Sequence, residues 1–105
     1  IYTLGPDTYR VSAKYAVDDL EDLYDIEIDE VDVDTVGGLL TKLIGRLPEG
    51  GSAASTNDLN LVAEQPDGRN QRVSWIRVSP TEGWLERKAV RDEIDQARTG
   101  EISLP

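Results

Sequence analysis

The chain contains no cysteine, no histidine, no phenylalanine and no methionine. Without cysteine there are no disulfides, thiolate metal sites or thiol nucleophiles. Without histidine the commonest metal ligand and the usual general base near neutral pH are missing. Carboxylates, lysine, tyrosine and hydroxyls remain, and no arrangement of them stands out as a catalytic set, so the chain is expected not to be an enzyme. Long apolar runs are also lacking. No stretch approaches the roughly 20 residues that span a bilayer, and no signal-peptide pattern is present. The sequence opens at Ile1 with no initiator methionine, which leads us to expect a soluble segment excised from a larger protein.

A length of 105 residues suits one small domain. A domain of that size buries roughly 60–70% of its unfolded surface, here with Leu, Ile, Val, Tyr and Trp. The formal net charge is -10, from 21 acidic and 11 basic residues. Its placement is uneven. Asp18, Asp19, Glu21, Asp22, Asp25, Glu27, Asp29, Glu30, Asp32 and Asp34 follow one another with no Lys or Arg among them. Outside that stretch the charges balance. Phosphate contacts need clustered cations, so nucleic acid is not expected as a partner, and anionic lipid head groups would repel the chain.

Residues 1–8 carry the turn-prone Gly5-Pro6-Asp7 and little pattern, and read as a linker. Tyr9 to Ala13 alternates apolar and polar residues, as a half-buried strand does. A short helix is expected from about Asp18 to Tyr24, with Asp18 as N-cap and Glu21 in capping-box position. The clearest helix follows. Val36, Leu39, Leu40, Leu43, Ile44 and Leu47 fall on one face, with Asp34 or Thr35 to cap the start, Gly45 to end it and Pro48 to prevent continuation. Gly50 to Asn57 reads as a polar loop. Two strands, Leu59 to Glu64 and Arg72 to Ser79, are joined across the turn signal Pro66-Asp67-Gly68; Val73 and Trp75 point one way, Ile76 and Val78 the other, as in an inner or bulged strand. A mixed-charge helix from about Trp84 to Arg98, ended by Gly100, completes the chain. The expected fold class is α+β: a small, mostly antiparallel sheet packed by two helices, spanning residues 9–79, with a C-terminal helical extension over 80–105. There is no internal repeat.

Asp32-Val33-Asp34-Thr35-Val36-Gly37-Gly38-Leu39-Leu40, followed by Leu43-Ile44-Gly45-Arg46-Leu47-Pro48, resembles the signature of the CorC/HlyC transporter-associated domain. Tyr9-Arg10-Val11 and Asp19-Leu20-Glu21-Asp22-Leu23 are similar to that family's first strand and helix, and Gly68-Arg69 with Val73, Ile76 and Val78 to its closing hairpin. The loop from Gly50 to Asn57 stands where the family has a compact strand and turn. The resemblance implies a C-terminal module on the cytoplasmic side of an integral-membrane protein, usually behind a pair of CBS domains. It also implies modulation of ion transport of the magnesium and cobalt efflux or hemolysin-like kind, and no catalytic residues. By fold analogy to flavin-binding domains alone, FAD or an adenine nucleotide is the competing ligand expectation.

The acidic stretch is the first candidate site. Asp29, Glu30 and Asp32 are its free carboxylates and could attract magnesium or calcium weakly; a solvated face or a partner's docking surface are the other readings. An EF-hand does not fit, because a loop starting at Asp32 puts Val36 and Leu43 where oxygen ligands are required. Gly37-Gly38 at a helix start could admit a phosphate, or could serve close packing against a strand or Trp75. Trp75 and Trp84, with the four tyrosines, could stack on a ring-shaped ligand or serve core and hairpin packing. Arg69, Arg72 and Arg77 could form a small basic edge or pair with neighbouring acids. The terminal helix, with Leu85, Ala89, Val90, Ile94 and Ala97, could dock on its own domain or on a second copy in a homodimer.

Overall fold

Alternation in the first strand and 3.6-residue periodicity in the second helix set the two layers of the molecule. In chain order the elements are β1 (Tyr2–Gly5), β2 (Thr8–Ser12), α1 (Val17–Tyr24), α2 (Val36–Ile44), β3 (Ala53–Ser55), β4 (Leu59–Ala63), β5 (Trp75–Pro80) and α3 (Glu82–Ser103). The computed structural model describes residues 1–30, 32–66 and 72–103, with residues 95–103 described as helical backbone only. The expected turn at Asp67-Gly68 and the pair Gly68-Arg69 lie outside the described residues.

The strands form one antiparallel sheet in the order β1-β2-β5-β4-β3. β5 is an inner strand, as expected, paired through Val11↔Ile76 on one side and Leu61↔Val78 on the other. Those four residues point to the inner face and are fully buried with Leu59, against Leu20 of α1 and Val36, Leu39 and Leu40 of α2. Val73 joins this core from just before β5, so it faces with Ile76 and not, as the alternation suggested, with Trp75.

Two segments read as irregular are edge strands. Residues 1–8, expected as a linker, contribute β1; Gly50 to Asn57, expected as a loop, contributes β3. β3 has three residues, two of them Ala, and owes its extended form to pairing with β4 rather than to its own propensity.

α2 starts and ends where its local signals place it. Thr35 caps it, its hydroxyl accepting from Gly38 N–H at 3.1 Å, and Gly45 closes it at φ 74° with its N–H donating to Thr41 O. Leu47 falls beyond the helix and is 80% exposed. The start of α1 differs from expectation. Its N-cap is Ala16, and no side chain caps it. Ala16 and Thr35 form an isolated antiparallel bridge, in which Val17 N–H donates to Asp34 O and Val36 N–H to Tyr15 O, each at 2.9 Å. Each helix thus satisfies an orphan amide of the other, and Asp18 is left as a first-turn acid suited to the helix dipole. Glu21 works forward instead of back: its Oε2 accepts from Ile28 N–H at 2.8 Å.

α3 begins at Glu82 and its backbone continues through Gly100 to Ser103. Trp84 anchors it, packing edge-on against Tyr24 with ring centroids 5.4 Å apart and donating its Nε1–H to Tyr24 O at 2.9 Å. Lys88–Asp7, Arg91–Asp25 and Arg87–Asp58 ion pairs flank that anchor. Farther out, Val90 and Ile94 are about half exposed.

Candidate functional site

Three places in the fold collect polar chemistry, and the acidic stretch is the first. Its carboxylates disperse along the helical side of the sheet. Asp18 and Asp19 lie in the first turn of α1, Asp25 takes a left-handed conformation at that helix's end and pairs with Arg91, and Asp34 gives its carbonyl to α1. Asp29 and Glu30 border a shallow depression of about 330 Å³ shared with Asn57 and Asp58. Glu30 sits 3.8 Å from Lys42, Asp29 is exposed, and Asp32 is exposed with φ 60°. Among the described residues no group of three or more carboxylates converges closely enough to hold a metal ion.

The second place is the start of α2. Here the backbone amides that could meet a phosphate are already engaged: Val36 with Tyr15 O, Gly37 with Ala13 O at 2.8 Å, Gly38 with the Thr35 hydroxyl. The glycines serve packing. A Cβ on Gly37 would lie 2.9 Å from Ala13 O and 3.0 Å from Ala13 Cβ, so the neighbour is the residue just after β2 and not Trp75. Beside it a groove of about 690 Å³ is lined by Ala13, Lys14, Arg72, Val73 and Trp75, among others.

The third place is the outer face of the sheet, which α1 and α2 do not cover. Alternation puts Arg10 opposite Val11 and Trp75 opposite Ile76, so both point outward. The Arg10 guanidinium lies 4.0 Å from the centroid of the Trp75 ring and 5.7 Å from that of Tyr2. Its Nε donates to both oxygens of Glu64, at 3.0 and 2.9 Å. Arg77 reaches the same carboxylate at 3.4 Å, which makes it a surface pair as the charge pattern suggested. Arg69 lies outside the described residues. Sequence reasoning missed Arg10 and Glu64, although period-two alternation already put Arg10 outward; Tyr2 is among the tyrosines read as stacking candidates.

The tryptophans therefore divide. Trp84 is structural, whereas Trp75 stands on the open face within the cation cluster. The buried hydroxyl behind Trp84 is strongly perturbed. Tyr24 donates to Asp7 O at 2.6 Å and more weakly to Val78 O. Burial, then the neighbouring Tyr9 and Asp7, push its phenol well above the ordinary range. Lys88 is raised as well, first through its hydrogen bond to Asp7.

Residues 3–82 match the model of the CorC_HlyC transporter-associated domain, so the match takes in β1 and β3 and stops at the start of α3. The chain belongs to the CorC/HlyC transporter-associated domain family. It is 42% identical over 82 residues to UPF0053 protein Rv2366c of Mycobacterium tuberculosis; the match takes 75% of this chain and spans only 19% of that relative's length. Among solved structures it resembles the associated region of a candidate Mg2+ and Co2+ transporter (CorC) from Neisseria meningitidis. There the TM-score is 0.66 at 21% identity, over 76% of this chain and 96% of that one. It also resembles the transporter-associated domain of a CBS domain protein from Porphyromonas gingivalis, with a TM-score of 0.62 at 25% identity over 75% and 94%. The five-stranded antiparallel sheet with its helices is thus the fold of this family. No helix among the described residues is long and apolar enough to cross a membrane.

Proposed function

We propose that this chain is a non-catalytic accessory domain on the cytoplasmic side of a membrane protein, where it modulates transport of ions of the magnesium and cobalt kind. The carrying observation is the family match over residues 3–82. Support comes from the solved neighbours, described as parts of a CorC transporter and of a CBS domain protein. The module covers a fifth or less of its curated relative, consistent with a part that acts on other domains, CBS and membrane-spanning ones, of the same protein. Its mode of action is contact. The start of α2, where a phosphate-bearing cofactor would gain amide donors, is committed to Tyr15, Ala13 and Thr35.

The test is transport by the full-length parent in vesicles, with this domain present or replaced by a flexible linker. We expect the membrane part to retain transport while the rate, or its response to internal magnesium, changes. An unchanged rate and unchanged response would refute the role. Weak magnesium or calcium attraction at Asp29, Glu30 and Asp32 belongs to the same reading, as a diffuse field of negative charge and not a closed coordination site. Millimolar magnesium is then expected to shift the amide resonances of residues 29–32 and to leave 10–12 in place; equal shifts at both would count against it.

A further inference from the structure

The helical side of the sheet carries the excess acid, and the outer side carries the reverse. Around Trp75 stand Arg10 and Arg77 on the open face, which share the Glu64 carboxylate, and Lys14 at the rim of the adjoining groove. In a chain of net charge -10 this is a local surplus of cation. It comes with exposed apolar surface: Tyr2 is 56% exposed, Val62 40%. Arginine, tryptophan and tyrosine are the residues that most often dominate protein interfaces. Here they are held in place, because Glu64 fixes the Arg10 guanidinium and the two rings flank it. A fixed guanidinium stack loses little freedom on binding.

We propose that this outer face is a docking surface for a carboxylate-rich protein segment with apolar side chains, its acids meeting Arg77 and Lys14 and its apolar groups lying on Tyr2 and Trp75. Charge complementarity selects that occupant. A second copy could offer its own acidic stretch, but that stretch lies on the opposite side of the sheet. Such a contact would be head-to-tail and would not close into a dimer. An anionic bilayer would meet the same cations and also the net charge of the whole domain, which opposes it. The inference extends the accessory-domain reading, and its test reads binding rather than ion flux, so the two can fail separately.

The probe is a fluorescein-labelled dodecapeptide alternating Glu and Leu, titrated with residues 1–105 at low salt and followed by anisotropy. Saturable micromolar binding is expected, weakened about tenfold or more by the Lys14→Glu, Arg77→Glu double substitution. A reversal on the other side, Asp19→Lys with Asp22→Lys, should leave peptide binding undiminished. Both side chains of the first pair are exposed, so thermal melting of that variant should match the parent and separate lost binding from lost folding. Absence of saturable binding, or binding indifferent to Lys14→Glu with Arg77→Glu, overturns the proposal. So does preferential binding to phosphatidylserine vesicles, which would make the face a lipid surface.

Discussion

At Gly37 an added methyl group would have to share space with Ala13 O at 2.9 Å, while at Gly38 the nearest neighbour is the Thr35 hydroxyl at 3.2 Å. The carbonyl belongs to backbone anchored by the Gly37 N–H, so it has nowhere to go. Gly37→Ala is expected to destabilise by about 1–3 kcal/mol, as overpacking does. Gly38→Ala should change stability by less than about 1 kcal/mol, because gained helix propensity offsets a minor adjustment at the cap. Denaturant midpoints of the two variants check this, and equal losses would contradict it. Tyr24 gives a second residue-scale expectation. Its folded phenol pKa is raised, and so is that of Lys88. A raised pKa contributes stability that is complete below the unfolded value, about 10 for both groups, and is lost as pH climbs toward the folded one. Stability should therefore fall steeply above about pH 10. Tyr24→Phe should lose about 1–3 kcal/mol at neutral pH, chiefly from the Asp7 carbonyl deprived of the Tyr24 hydroxyl, and should flatten the alkaline fall. Chemical denaturation at pH 7, 10 and 11 tests both parts. A Tyr24→Phe curve parallel to the parent's would contradict the assignment.

Among the elements, α3 is joined to the body, through its described side chains, by the Trp84 ring with its hydrogen bond to Tyr24 O and by a few ion pairs. Trp84 supplies the apolar contact, while in the Lys88–Asp7, Arg91–Asp25 and Arg87–Asp58 pairs the cations are open to solvent and salt screens them. Trp84→Ala should free the helix, so that amide protection over residues 82–94 drops to the level of an isolated helix while β2, β4 and β5 keep theirs; hydrogen exchange reads this directly. Concerted loss of protection in the sheet would show α3 to be part of the core. The elements also show what a linear sequence can disclose. α2 was legible because its cap, stripe and terminator all lie within one short run of chain. β1 and β3 were not, since they are short edge strands of weak pattern whose extended form comes from hairpin pairing with β2 and β4. The Asp18 cap failed for a related reason: a backbone bridge between Ala16 and Thr35 does that work from nineteen positions away. The cluster at Arg10, Glu64 and Trp75 joins three strands that are separated in sequence. Alternation could have placed each side chain outward, but only the strand order brings them together.

The whole molecule is electrically two-sided. Ten acids attend the helical layer, and a smaller group of cations gathers on the open sheet face around Trp75. Neither side shows, among the described residues, a cluster of ligands closed enough to grip a metal. The family places such domains with transport, and this one is read as acting on its neighbours by contact and not as the element that senses the ion. Calorimetric titration of the chain with magnesium, calcium and cobalt tests that reading most directly. The account predicts no saturable heat at micromolar concentrations and only weak, salt-sensitive, non-saturating signals in the millimolar range. Saturable micromolar heat with a defined stoichiometry would contradict it, and would make the domain an ion sensor.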